Sequence, residues 1–252
     1  MGDILYIVMP AFNEEANIEK TVREWYPHIA YKPDGSKLVV ADSGSSDDTH
    51  EILRDLCREL PRLEILEGTL SQHGPKCIAL YEYAVNRRAD YIFQTDSDGQ
   101  TDPDEFPAFW HHRHEFDVIL GNRTVRGDGR IRFLVEKVVT WLLYIFFRVR
   151  VPDANVPFRL MRADVVEEYL HRLPADYNLP NIMFTTFFKY YGYKVGYKRI
   201  SFKGRSAGKN SIDLIKIIDL GMKALGDFSR FAREMKNNCH GGNKNGHQKE
   251  DR

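Results

Sequence analysis

The sequence carries no excess of either charge: 36 lysines and arginines stand against 36 aspartates and glutamates over 252 residues. A protein that holds nucleic acid through bulk basicity needs surplus cations, so that class is excluded and no nucleic-acid partner is predicted. Cysteine is scarce and poorly placed for cross-linking. Cys57, Cys77 and Cys239 include no CxxC pair, which argues against a disulfide framework or a zinc knuckle and points to a reducing compartment. Long apolar runs are missing too. The longest, Val138 to Phe147 interrupted only by Thr140, falls well short of the ~20 residues that cross a bilayer. The opening MGDILYIVMP has neither a basic n-region nor a long apolar h-region, so a cytoplasmic location without an export signal is expected. With 42% hydrophobic residues the chain still buries a real core, and its length suits one large α/β domain or two small ones.

Apolar periodicity alternates between strand and helix. Ile4 to Met9 reads as a strand, and Ile18, Val22, Trp25 and Ile29 recur at helical spacing with Asn13 as a cap. Lys37 to Ala41 reads as a second strand, followed by a helix that Asp47 caps. Leu63 to Leu66 forms a third strand, and a helix from about Cys77 to Arg87 leads into a fourth, Tyr91 to Thr95. Farther on, strands are expected at Phe116 to Gly121 and Phe158 to Met161, and helices at Arg130 to Val149, Asp164 to His171 and Ile212 to about Met235. Such alternation predicts a doubly wound, mostly parallel sheet flanked by helices, whose ligand crevice lies at the carboxyl ends of the strands. A single domain over 1–236 is expected, with a nucleotide-binding half to about 103, an acceptor half from about 104, and a disordered tail over 237–252.

The polar loops fall at those strand ends. PAFNEE, DSGSSDD, SQHGPK and DSDGQ follow the first four strands in turn. Asp96-Ser97-Asp98 is the sharpest local signal. Two carboxylates one residue apart place one side chain on a ribose or base and the other on a hard divalent cation that bridges phosphates. Asp42 leaves its strand toward the same crevice, where it can accept a nucleobase N–H or ribose hydroxyls.

The ordered set PAFNEE (10–15), ADSGSSDDT (41–49), SQHGPK (71–76), QTDSDGQTDP (94–103), GNR (121–123) and PFRLMR (157–162) resembles the family 2 glycosyltransferases, specifically the dolichyl-phosphate and polyprenyl-phosphate sugar transferase branch. The resemblance runs from about residue 3 to residue 235. It implies a GT-A fold and an inverting, metal-dependent transfer from a nucleotide-diphosphate sugar to polyprenyl phosphate, or to a soluble or glycan acceptor. It makes Pro10, Ala11, Asn13 and Glu14 part of the nucleotide pocket and sets Asp42 on the nucleobase. Ser43, Gly74, Lys76 and Ser97 complete that set. Asp96 would hold the ribose or sugar side, and Asp98, with Asp96, would bind Mg²⁺ or Mn²⁺. Relatives carry two consecutive acids where this chain has Asp42-Ser43, which leaves uracil and guanine both open.

A metal and nearby cations would stabilise charge on the departing diphosphate, and Arg205 and Lys209 in GRSAGKNS are the candidate cations. Asp153 is the best available general base, with a turn cap as its plainer role. Arg123 and Arg159 are candidates for an acceptor phosphate, although Arg159 equally suits a structural pair inside its strand. The apolar segment 131–151 is ringed by Arg130, Arg132, Lys137, Arg148 and Arg150. It fits an interfacial helix at the inner face of a membrane, and equally a core or homo-oligomer helix.

Overall fold

The computed structural model describes residues 2–126, 130–204 and 214–241. Among them seven strands form one sheet: β1 (Leu5–Ala11), β2 (Lys37–Asp42), β3 (Leu63–Leu66), β4 (Tyr91–Gln94), β5 (Val118–Arg126), β6 (Arg159–Arg162) and β7 (Val195–Phe202), in the order β3-β2-β1-β4-β6-β5-β7. The helices are α1 (Ile18–Trp25), α2 (Pro27–Ala30), α3 (Thr49–Glu59), α4 (His73–Asn86), α5 (Phe106–His111), α6 (Arg130–Phe147), α7 (Ala163–Leu170), α8 (Pro180–Tyr190) and α9 (Leu214–Gly241).

Strand β1 is buried along its whole length, as a central parallel strand covered on both faces must be. It pairs in parallel with β2 and with β4, and β2 pairs in parallel with β3. Helix α1 packs beside α3, and α4 packs beside α7 and α8; right-handed crossovers are the rule for such parallel units. Trp25 of α1 meets Phe93, Phe106 and Phe158 at ring-centroid distances of 5.4, 6.1 and 5.8 Å. Truncating an aromatic in such a cluster costs about 3–5 kcal/mol.

Strand β6 departs from the alternation: it runs antiparallel between β4 and β5, with Arg159 opposite both Gln94 and Leu120. The segment before it therefore reaches the carboxyl edge of β4 and β5 from the opposite direction. SQHGPK, expected as a loop, already contains the first turn of α4, which starts at His73. Pro75 is compatible with that turn because its missing N–H would have no partner there. Gly74 is required at this point. A Cβ on it would lie 2.4 Å from the Tyr177 carbonyl oxygen and 2.6 Å from the Asn178 backbone, both between α7 and α8. Gly74→Ala is expected to cost about 3 kcal/mol, a fall in Tm of roughly 6–12 °C. An unchanged melting curve would show that α4 and that loop separate freely.

The last helix continues through Gly241, beyond the expected end near Met235, so residues 237–241 are helical rather than tail. Residues 242–252 lie outside the described set. Helix α6 ends where Arg148 takes a left-handed φ of 58°. Its inner face buries Leu143 and Phe147, and Phe146 and Phe147 meet Phe228 of α9 at 6.2 and 5.8 Å. Val138, Trp141 and Ile145, spaced three and four apart on the opposite face, are exposed. No helix of the described residues is long and apolar enough to cross a membrane.

Candidate active site

The loops after β1, β2 and β4 and the start of α4 meet at one sheet edge, and their cross-bonds make them a unit. Asn13 adopts a left-handed φ of 54°, a conformation that asparagine tolerates better than most residues. Its N–H donates to Ser45 Oγ at 3.0 Å, and its Oδ1 accepts from Ser46 N at 2.8 Å. Asn13 thus ties two loops together rather than capping α1. Asp47 accepts from Thr49 N at 3.1 Å and from Glu15 N at 3.2 Å, but the N-cap position of α3 falls to Asp48, one residue beyond the expected Asp47. Glu14 donates its N–H to Thr49 Oγ1 at 2.8 Å, while its buried carboxylate accepts from Asn17 Nδ2 at 2.8 Å.

Lys76, almost wholly buried, reaches from the first turn of α4 to donate to the Ala11 carbonyl, and its ammonium lies 5.2 Å from the Phe12 ring centroid. Burial pushes the Lys76 pKa down, with the nearby Asp42 acting against that shift. Phe12 is half exposed beside this lysine and offers an apolar face in an otherwise polar cleft. Its only sequence signal is an aromatic inside a polar loop.

In the DSDG turn the side chains alternate. Ser97 turns inward and donates to the Pro10 carbonyl at 2.8 Å, while Asp96 and Asp98 remain half-buried on the more open side. Asp98 Oδ1 accepts from Gln100 N at 3.1 Å, which presets the carboxylate. Asp96 Oδ1 lies 3.2 Å from His73 Nε2, and His73 Nδ1 lies 3.7 Å from Cys77 Sγ. The Cys77 sulfur and the Asp96 carboxylate hold the His73 pKa well above the usual histidine value. Gln100 also exchanges hydrogen bonds with Lys203, Nε2 to the carbonyl at 2.7 Å and N–H to carbonyl in return at 2.8 Å. Those bonds pin the end of the β7 segment beside the acids.

No group of three or more His, Cys, Asp or Glu side chains that would enclose a metal occurs among the described residues. Asp96 and Asp98 supply two hard oxygen donors. That set fits Mg²⁺ or Mn²⁺ taking the rest of its shell from water and a diphosphate, and does not fit a closed structural metal site.

Asp42, at the end of β2, is buried, with Oδ1 accepting from Ser45 Oγ at 2.5 Å and Oδ2 lying 3.1 Å from His50 Nδ1. Ser43 faces away: its hydroxyl accepts from Thr69 N at 3.1 Å and from Thr69 Oγ1 at 3.0 Å. The backbone of Pro10 and Ala11 is engaged by Ser97 and Lys76, so both residues frame the pocket through their carbonyls.

The acceptor side carries two corrections. Arg123 grips Asp153 with both ends of its guanidinium, Nε to Oδ2 at 2.6 Å and Nη2 to Oδ1 at 3.0 Å, and Nη2 is also 3.5 Å from Glu136 of α6. Asp153 is buried and Arg123 nearly so, and the two charge-assisted bonds commit the carboxylate to the arginine. Asp153 is therefore held as the partner of Arg123 and, accepting from Asn155 N at 3.2 Å, as a turn cap, rather than standing as a free general base. Arg159 does not reach the cleft. Fully buried, it donates to the carbonyls of Val156 (3.0 and 2.6 Å) and Asn181 (3.0 Å) and braces the turn before β6, so the acceptor-phosphate role expected for it gives way to a structural one. Arg205 and Lys209 lie outside the described residues.

Comparison with known proteins bears on the fold and the family. The chain is 24% identical over 165 residues to the undecaprenyl-phosphate mannosyltransferase of Micrococcus luteus, covering 63% of this chain and 66% of that protein. It is 28% identical over 171 residues to the dodecaprenyl-phosphate galacturonate synthase of Rhizobium johnstonii, covering 65% and 49%. A Yersinia pestis undecaprenyl-phosphate 4-deoxy-4-formamido-L-arabinose transferase matches at 24% over 166 residues, covering 66% and 50%. The chain thus spans between about half and two thirds of the length of these relatives. Among solved structures, glucosyl-3-phosphoglycerate synthase from Mycobacterium tuberculosis superposes with a TM-score of 0.61 at 19% identity over 93% of this chain and 79% of that one. The S. aureus TarS 1–349 structure does so with a TM-score of 0.56 at 15% identity, over 80% and 60%. These likenesses identify the fold as GT-A. A sequence model of glycosyl transferase family 2 matches residues 6–170, a span that holds every acid-bearing loop described above, and the chain belongs to that family.

Proposed function

We propose that the protein transfers a sugar, with inversion, from a nucleotide-diphosphate sugar to polyprenyl phosphate at the cytoplasmic face of a membrane. The observation that carries this reading is the convergence of Asp42, Asp96 and Asp98 on one cross-bonded sheet edge. Asp42 suits a nucleobase N–H, and Asp96 with Asp98 would suit a divalent ion beside the diphosphate; the M. tuberculosis neighbour is known in complex with Mn²⁺ and UDP. The ion would neutralise charge developing on the leaving diphosphate. Arg205 and Lys209 are proposed to join it there.

An acceptor that is already a phosphate anion needs positioning rather than deprotonation. The Arg123–Asp153 pair supports that requirement, because it offers an oriented cation and no free base. The relatives named above act on undecaprenyl or dodecaprenyl phosphates. The exposed stripe Val138, Trp141 and Ile145 supports a lipid-borne acceptor, since Arg148 and Arg150 flank it, stacked on Tyr144 at 5.5 and 4.8 Å.

Vesicle flotation tests the reading directly. The full chain should float with anionic vesicles, and a Trp141→Glu, Ile145→Glu double variant should bind about tenfold more weakly. In the same vesicles with undecaprenyl phosphate, Mn²⁺ and radiolabelled UDP- or GDP-sugars, labelled lipid should form. Transfer to a water-soluble phosphate with no vesicle binding by the wild type would replace the lipid acceptor with a soluble one.

A further inference from the structure

His50 is a histidine that neither the motif pattern nor the family resemblance singles out, yet it touches the carboxylate on which donor recognition turns. It is the second residue of α3, half exposed, with Nδ1 3.1 Å from Asp42 Oδ2 and Nε2 3.4 Å from Oε1 of Glu67, just after β3. A carboxylate only accepts hydrogen bonds, so Nδ1 carries a hydrogen and donates it to Asp42. Ser45 Oγ holds the other Asp42 oxygen at 2.5 Å. The Asp side-chain torsion is otherwise broad and two-fold, and these two donors restrict it to one orientation. Each carboxylate oxygen can accept two hydrogen bonds, so one position on each oxygen is left for a ligand. The residue beside Asp42 does not perform this function, because the Ser43 hydroxyl is turned to Thr69, from which it accepts two hydrogen bonds. Glu67 lies on the far side of the ring, 3.4 Å from Nε2, so the loops after β2 and β3 both border this histidine.

We propose that His50 is a positioning residue for donor recognition: it holds Asp42 in the orientation that receives the nucleobase. This rests on the reading of Asp42 as the nucleobase acceptor, and the experiment separates the two. The probes are UDP, GDP and inorganic pyrophosphate, each titrated calorimetrically with Mn²⁺ into the full chain. In His50→Phe the nucleotide that the wild type binds should weaken about tenfold, the scale of one charge-assisted hydrogen bond, while pyrophosphate affinity stays unchanged. The KM for the nucleotide sugar should rise by a similar factor with kcat preserved. His50→Asn, whose amide can donate from nearly the same place as Nδ1, should recover most of the loss. Equal nucleotide affinity in His50→Phe and wild type overturns the proposal, as does parallel loss of nucleotide and pyrophosphate, which would mark a merely structural role. Asp42→Asn reports on the underlying reading: wild-type nucleotide affinity there would remove the nucleobase role of Asp42 whatever His50 does.

Discussion

Asp98→Asn is expected to lower sugar transfer by about 10²–10³-fold, the loss seen when a group that stabilises transition-state charge is removed. Asparagine keeps an oxygen that can accept from Gln100 N, the 3.1 Å bond that shapes the DSDG turn, so the turn should survive. What disappears is the negative charge that draws a divalent ion to the diphosphate. The Mn²⁺ concentration for half-maximal activity should therefore rise. Asp98→Ala removes the Gln100 bond as well, and should add about 1 kcal/mol of destabilisation to the same catalytic loss. The Gln100–Lys203 exchange sits directly behind this turn, so Asp98→Ala should also loosen the attachment of the β7 end, readable as faster amide exchange at Lys203. Undiminished transfer by Asp98→Asn across a Mn²⁺ series would sink the metal role.

The second large effect is expected at Asp153. Its carboxylate is the bidentate partner of a nearly buried arginine, and removing one member of a buried pair typically costs about 3–5 kcal/mol because the other is left uncompensated. Glu136, 3.5 Å from the same guanidinium, retains part of the compensation, so Asp153→Asn should fall near the lower end of that range. Urea unfolding with an unchanged m-value and a lowered midpoint would register it. Activity should respond in a specific way. If Asp153 orients Arg123 toward an acceptor phosphate, the acceptor KM rises while the donor KM stays constant, and the pH profile keeps its shape because no proton transfer has been lost. A profile that loses its acid limb in Asp153→Asn would restore the general-base role that the ion pair argues against.

Much of the donor side was legible because its signals are local. A strand that ends at Ala11 or Asp42 must release its chain at the carboxyl edge of a parallel sheet, so PAFNEE, DSGSSDD and DSDG had to gather there. The alternation of Asp96, Ser97 and Asp98 placed the two acids together by the same logic. Other features depend on partners far away in sequence. Arg159 looks like any arginine until the carbonyls of Val156 and Asn181 close around it. Arg123 and Asp153 are thirty residues apart and carry no mark of their pairing. His50 reads as an ordinary helix residue until the loops after β2 and β3 bring two carboxylates to its ring.

Helix α6 shows the same division in one element. Its composition exceeds a single apolar stripe, which left core, subunit and lipid contact all open. Only the positions of α8 and α9 decided that Leu143 and Phe147 are buried and that Val138, Trp141 and Ile145 are exposed. By itself, the amino-acid sequence determined the βα alternation, the family and the edge at which the acids collect, because periodicity and strand-end position are properties of contiguous residues. The antiparallel insertion of β6, the pairing of buried charges and the choice of exposed face were decided by the tertiary structure. Each depends on which distant groups compete for a desolvated charge or an apolar surface, and that competition is settled only when the chain closes on itself.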